Sequence, residues 1–255
     1  MKNSSNLGGF FIVMPAYKAS GTIFETINKI DKEVYELIKE IVIVEDIENK
    51  EDQSASAELL NKFKKCTVIF HKKNLGYGAA QKTGYKYCMK KNCEGAILLH
   101  SDGQYHPKYL KKIIDLINIS KNDVVQGSRM MNKGEALKGG MPYWKYILNK
   151  LTTFFENVIY RTSFSEFHSG YMAYSNKALK KIPFEKLSNT FHFDGEMLIM
   201  TKLKKLKFDC FPIETHYGEE SSSLNPIKYG IQIILVVLRY IFNKYNISAD
   251  ENRFI

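Results

Sequence analysis

The chain has 255 residues, with 37 Lys plus Arg against 27 Asp plus Glu, a formal net charge of +10, and 44% hydrophobic residues. Those proportions fit one sizeable folded domain with a small appendage, and they exclude a disordered, fibrous or polytopic membrane chain. Four cysteines, Cys66, Cys88, Cys93 and Cys210, without C-x-x-C spacing support neither a disulfide framework nor a zinc site and point to a reducing, cytoplasmic setting.

Residues 1–9 are polar, and the apolar stretch 10–14 is cut by Pro15, so no export signal is expected and 9–14 reads as a buried strand. Ser20 stands ahead of a helix expected over 22–39. A second β-branched strand, 40–44, ends abruptly in Glu45-Asp46-Ile47-Glu48. A polar helix over 54–65 leads to a third strand, 67–70, and residues 74–78 open a helix over 79–90. The fourth strand, 95–99, runs into His100-Ser101-Asp102-Gly103-Gln104. After a helix over 108–119, the strand 123–129 finishes in Gly127-Ser128-Arg129. Residues 133–142 hold three glycines and read as a mobile lid, followed by a helix over 143–160. Strands alternating with helices at this spacing predict βαβ crossovers and a mostly parallel sheet, whose carboxyl ends are where ligands bind.

Asp102 and Gln104 offer two oxygen ligands at positions i and i+2 of an extended segment, a spacing that can converge on one hard cation. Mg²⁺ or Mn²⁺ held by few protein groups and by substrate phosphates is the usual arrangement, and His100 would add an imidazole that favours Mn²⁺. On these residues alone, a polar loop without metal is the other reading. The guanidinium of Arg129 suits phosphate oxygens.

Val13-Met14-Pro15-Ala16-Tyr17, Val44-Glu45-Asp46, Asn74-Leu75-Gly76-Tyr77-Gly78, Leu99-His100-Ser101-Asp102-Gly103-Gln104 and Gly127-Ser128-Arg129 follow one another in register at strand ends. Together they resemble the family 2 glycosyltransferases of GT-A fold, in particular the branch with dolichyl-phosphate mannosyltransferase and polyprenyl-phosphate glucosyltransferases. The resemblance implies an α/β fold of GT-A, Rossmann-like type, with a mostly parallel central sheet flanked by helices and a C-terminal helical extension. A catalytic domain would occupy 1–225, and a helical tail, interfacial or dimerising, 226–255.

The resemblance also implies roles. Pro15, Ala16 and Tyr17 would pack around the nucleotide, Glu45 and Asp46 would hydrogen-bond base and ribose, and Asn74, Gly76 and Gly78 would form the next nucleotide-side loop. Ser101 and Asp102 fall at the family's D-x-D, with His100 in place of its first Asp, and Gln104 would complete the metal site. Arg129 would contact phosphate. Residues 166–174 resemble the family's D-x-x-S-G-[FY]-x-x-Y stretch, with Glu166 in place of Asp and His168 beside the acceptor. Phe191-His192-Phe193-Asp194-Gly195-Glu196 resembles the acceptor-side helix start, whose acids Asp194 and Glu196 are those a base would be drawn from.

The activity implied is inverting, metal-dependent transfer of a sugar from a UDP- or GDP-linked donor to a membrane-associated acceptor such as polyprenyl phosphate. A hydroxyl of a surface glycan is the alternative acceptor, and it would need a base, whereas a phosphate monoester is already anionic. His100 and Glu166 where the family has Asp also admit a non-catalytic relative that binds nucleotide or membrane. Residues 218–223 are acidic and serine-rich where relatives carry an arginine loop, leaving His216 and Tyr217 as candidates for the acceptor contact. The apolar stretch 231–242 is too short to span a bilayer and reads as a core, dimer or interfacial helix. A peripheral protein at the inner face of the cytoplasmic membrane is expected, and no nucleic-acid motif accompanies the positive charge.

Overall fold

The computed structural model describes residues 9–17, 20–47, 58, 62–215, 217 and 226–249. Seven strands form one sheet: β1 Phe10–Ala16, β2 Ile38–Glu45, β3 Cys66–Phe70, β4 Gly95–Leu98, β5 Val124–Ser128, β6 Met172–Ser175 and β7 Phe208–Pro212. Their spatial order is β3-β2-β1-β4-β6-β5-β7. β6 runs antiparallel to both β4 and β5, and the other pairings are parallel, so the mostly parallel sheet flanked by helices is the expected one. The helices are α1 Ser20–Asn28, α2 Lys32–Leu37, α3 Tyr77–Lys90, α4 Leu110–Asn118, α5 Glu135–Lys138, α6 Tyr143–Tyr160, α7 Asn176–Lys181, α8 Phe193–Leu203 and α9 Pro226–Ile241.

The apolar runs form strands buried on both faces because successive side chains point to opposite sides. Phe11, Val13, Val42, Val44 and Leu98 enter one core, against Tyr85 and Met89 of α3 and Met197 to Met200 of α8. Ile12, Met14, Ile41, Ile43 and Ile97 enter the other, against Ile23 and Ile27 of α1 and Ile113 and Ile114 of α4. On the first face α3 lies tight on β1, since a Cβ at Gly84 would meet Val13 Cγ1 at 2.3 Å. Val236 and Tyr245 are buried in that same core, so α9 packs onto the body of the fold.

Several boundaries differ from the sequence expectation. The helix expected over 22–39 is two helices, because Asp31 leaves helical geometry and its carboxylate caps Glu33 N at 2.8 Å. β2 starts at Ile38, two residues earlier than expected, where the buried Ile38 pairs with Phe10. β6, β7 and α7 were not expected. α9 begins at Pro226, five residues ahead of the apolar stretch. The helix expected over 54–65 lies mostly outside the described residues, as do His216 and 218–223.

The lid expected over 133–142 is docked by its own small core of Met130, Ala136, Met141 and Tyr146, with Tyr217 packed against it. One of its three glycines, Gly134 (φ +81°), precedes α5, and a Cβ on Gly139 would meet Thr215 O at 2.0 Å. No helix among the described residues is long and apolar enough to cross a membrane.

Candidate functional site

Strand register aligns the carboxyl ends of β1, β2 and β4, and hydrogen bonds join the loops that follow them. Ala16 pairs with Glu45, Asp46 N donates to Ala16 O at 2.9 Å, and His71 N donates to Glu45 O at 2.9 Å. Ser101 Oγ donates to Pro15 O at 2.9 Å, tying the loop after β4 to the loop after β1. Pro15, Ala16, Glu45, Asp46 and Ser101 therefore share one rim, with Tyr17 half exposed upon it.

Asp46 is engaged inside the protein. Its carboxylate accepts from Leu75 N and Gly76 N, each at 2.7 Å, and from His71 Nδ1 at 2.7 Å. It thus fixes the 74–78 loop, where Asn74 is exposed. Gly76 (φ +99°) needs left-handed backbone, and a Cβ there would meet Asn189 O at 2.5 Å; one on Gly78 would meet Ser188 O at 2.7 Å. The close approach these glycines permit is to residues 188–189.

Asp102 lies exposed in the loop after β4. Its Oδ1 accepts from Gln104 N at 2.9 Å, a turn that passes through Gly103 (φ +73°). Its Oδ2 is 3.9 Å from His100 Nδ1. Partial burial acts to raise the Asp102 carboxyl, but the His100 ring in its protonated form and the Gln104 N–H outweigh it and hold the group below its ordinary value. Among the described residues no cluster of three His, Cys, Asp or Glu side chains converges on a metal position. The donors here, an exposed carboxylate, a nearby imidazole and Gln104, fit a divalent cation that takes its remaining ligands from a substrate diphosphate.

Behind His100 runs a buried chain of hydrogen bonds. His100 Nε2 is 2.7 Å from Tyr77 Oη, and Tyr77 donates to Asp194 Oδ2 at 2.8 Å. Gln81 Nε2 donates to Asp194 Oδ1 at 2.9 Å, and Tyr85 Oη donates to Gln81 Oε1 at 2.8 Å. Burial raises the Asp194 carboxyl, opposed by these donors. Gly170 makes room for the chain: a Cβ on it would meet His100 Nε2 at 2.1 Å and Tyr77 Oη at 3.0 Å.

Glu196 belongs to a different contact. Fully buried, it accepts from Ser188 N at 2.7 Å and from Tyr245 Oη at 2.6 Å, with Arg239 Nη1 at 3.6 Å. The structure therefore brings Asp194 to His100 and directs Glu196 to the C-terminal segment.

Arg129 is also turned inward. Its Nε donates to Glu166 Oε1 at 2.9 Å, its Nη2 contacts the same carboxylate and the His168 carbonyl, and its Nη1 donates to Tyr217 Oη at 2.7 Å. Burial works against the charged guanidinium, and Glu166 more than offsets it, raising the Arg129 pKa. His168 lies between α6 and α9, with Nε2 at 3.0 Å from Glu156 Oε2 and Nδ1 at 2.6 Å from Tyr229 Oη.

Gln81 and His71 lie outside the motifs read from the sequence, and Tyr77 and Gly170 lie inside two of them, 74–78 and 166–174, without a role of their own having been expected. The spacing of Tyr77, Gln81 and Tyr85, four residues apart along a buried helix, was the available signal.

The sequence pattern described as Glycosyl transferase family 2 matches residues 11–183. An uncharacterised protein of Methanocaldococcus jannaschii is 33% identical over 221 residues, 87% of each chain. The UDP-N-acetylglucosamine–dolichyl-phosphate N-acetylglucosaminyltransferase of Methanococcus voltae is 29% identical over 224 residues, covering 83% of this chain and 87% of that one. Glucosyl-3-phosphoglycerate synthase from Mycobacterium tuberculosis, solved with Mn²⁺, UDP and phosphoglyceric acid, shares the fold with a TM-score of 0.63 at 13% identity, covering 95% of this chain and 80% of that one.

Proposed function

This chain belongs to glycosyl transferase family 2, and from that premise we propose that it transfers a sugar, with inversion, from a UDP-linked donor to a lipid-linked phosphate. The observation that carries the reading is Asp102, exposed past β4 on a rim shared with Pro15, Glu45 and Asp46, with the His100 imidazole 3.9 Å away. The M. voltae relative, named for a UDP-linked donor and a dolichyl-phosphate acceptor, supports the choice of both.

In this reading Pro15, Ala16, Tyr17 and Glu45 flank the nucleotide, and Asp46 shapes the nucleotide side by holding Leu75 and Gly76 in place. Asp102, Gln104 and His100 hold the divalent cation, Mn²⁺ or Mg²⁺. When bound, it supplies charge neutralisation for the departing nucleoside diphosphate. The acceptor phosphate oxygen forms the new bond to the anomeric carbon as the bond to the donor diphosphate breaks. Such an oxygen is anionic at neutral pH and needs positioning, not deprotonation. That agrees with Asp194 and Glu196 being buried and engaged with protein donors. Arg129, its charge paired with Glu166, acts by holding His168 and Tyr217 at the acceptor edge.

The acceptor's setting has its own support in α6 and α9, two neighbouring helices with exposed apolar side chains. We assign them to peripheral contact with a membrane.

A thermal-shift panel of UDP and GDP with Mn²⁺, Mg²⁺ or EDTA tests the donor site. A ligand at a hundred times its dissociation constant adds about 2.7 kcal/mol, so UDP with metal is expected to stand out. No shift with any nucleotide would remove the enzymatic reading. Asp102→Ala is expected to keep the fold and lose nearly all transfer to polyprenyl phosphate, and full turnover in that variant would reject the metal assignment.

A further inference from the structure

We propose that Tyr77 and Asp194 are positioning residues that fix the His100 imidazole as its Nε2–H tautomer, leaving Nδ1 unprotonated and turned toward Asp102 as a metal ligand. The inference rests on the reading of residues 100–104 as the metal site.

The proton count drives it. Tyr77 has one hydroxyl proton and gives it to Asp194 Oδ2 at 2.8 Å. Its oxygen, 2.7 Å from His100 Nε2, is then left to accept, which requires the hydrogen on Nε2. Gln81, donating to Asp194 Oδ1 at 2.9 Å and oriented by Tyr85, holds that carboxylate as an acceptor. On the other side of the ring, Nδ1 lies 3.9 Å from Asp102 Oδ2. That is too long for a hydrogen bond and leaves space for a shared cation.

The packing agrees. His100 meets Tyr77 and Tyr105 edge-on, with ring centroids 5.5 and 5.0 Å apart, and the missing Cβ of Gly170 leaves the space the ring occupies. A carboxylate ligand needs no tautomer chosen for it; an imidazole does, and ligating histidines are usually fixed through their second nitrogen. The chain from Tyr77 to Asp194 is thus the local counterpart of having His at position 100.

Two measurements on the full chain test this. Nitrogen-15 NMR of labelled histidine in the metal-free protein, with His100→Asp identifying the signal, reads the tautomer. The Nε2–H form is expected in the wild type and a mixture of tautomers in Tyr77→Phe; an Nδ1–H form in the wild type would overturn the inference.

The second is titration of Mn²⁺ with saturating UDP, following free Mn²⁺ by electron paramagnetic resonance. Tyr77→Phe and Asp194→Asn should weaken Mn²⁺ about 10- to 100-fold, while Tyr77→Phe added to His100→Asp should change nothing. Equal weakening in both backgrounds marks a merely structural Tyr77 and overturns the inference, as does unchanged affinity in Tyr77→Phe. A wild type that takes up no Mn²⁺ instead overturns the metal reading on which it stands.

Discussion

Gly170 shows how much chemistry one absent carbon controls. A methyl group there would overlap the His100 ring at 2.1 Å, and a ring held by Tyr77 and Tyr105 has no flexible end to move aside. Gly170→Ala is therefore expected to displace His100 and to lower Mn²⁺ affinity and turnover at least tenfold, read by titration and by steady-state kinetics. A second single-residue effect lies at His192. Burial, then the neighbouring His168, depress its pKa to about 4, while its Nε2 stays 3.1 Å from Tyr229 O. Between pH 6.5 and about 4 the unfolded chain binds this proton and the folded one does not. The stability concerned is complete above pH 6.5 and lost as pH falls toward 4, a loss on the order of 3 kcal/mol. His192→Gln should flatten that part of the stability–pH curve in urea melts; an unchanged slope would assign the acid sensitivity to other groups.

Among the elements, α8 carries two acids with separate duties. Asp194 faces α3 and His100, whereas Glu196 ties the helix to Ser188 and to Tyr245 beyond α9. Glu196→Gln would turn an amide N–H₂ toward one of these donors, at a cost of about 1–3 kcal/mol. The melting temperature should fall by several degrees, with turnover per folded molecule nearly kept; loss of turnover at unchanged stability would instead assign Glu196 the part of a base. The strands β1 to β5 and the loops after them were legible because buried parallel strands are written as unbroken apolar runs ending in polar residues. β6 escaped notice because Met172 to Ser175 lies inside a stretch that carries a motif. β7 escaped because an edge strand, Phe208–Pro212, half buried, holds Asp209 and Pro212 in its five residues. At the site, the rim acids were visible in sequence, but the meeting of Tyr77 with Asp194, 117 positions apart, is a product of the fold.

At the scale of the whole molecule, charge and apolar exposure coincide on one pair of helices. Trp144, Leu151 and Phe155 of α6 are 51–60% exposed, and Ile234 and Leu238 of α9 are 60% and 41% exposed. The helices meet where Tyr160 packs edge-on against Tyr240, with centroids 4.8 Å apart. Glu156 is the one acid in their two sequences, and it is buried against His168, so what remains outside is apolar, aromatic and basic. Such a face suits the boundary of an anionic bilayer, where Trp and Phe enter the acyl edge and Lys and Arg meet headgroups. His168 bridges Glu156 of α6 to Tyr229 near the start of α9, while its carbonyl accepts from Arg129, so a surface seated by this face would share a rigid frame with the acceptor edge. The protein is expected to sediment with phosphatidylglycerol vesicles and to be released as salt shortens the screening length. Leu151→Glu with Leu238→Glu, both exposed positions, should abolish sedimentation and transfer to vesicle-borne polyprenyl phosphate while sparing transfer to a short detergent-soluble acceptor. Were the double variant instead to keep its lipid binding and to change molar mass in light scattering, the face would be a contact between copies of the chain, and membrane approach would have to be sought elsewhere on its basic surface.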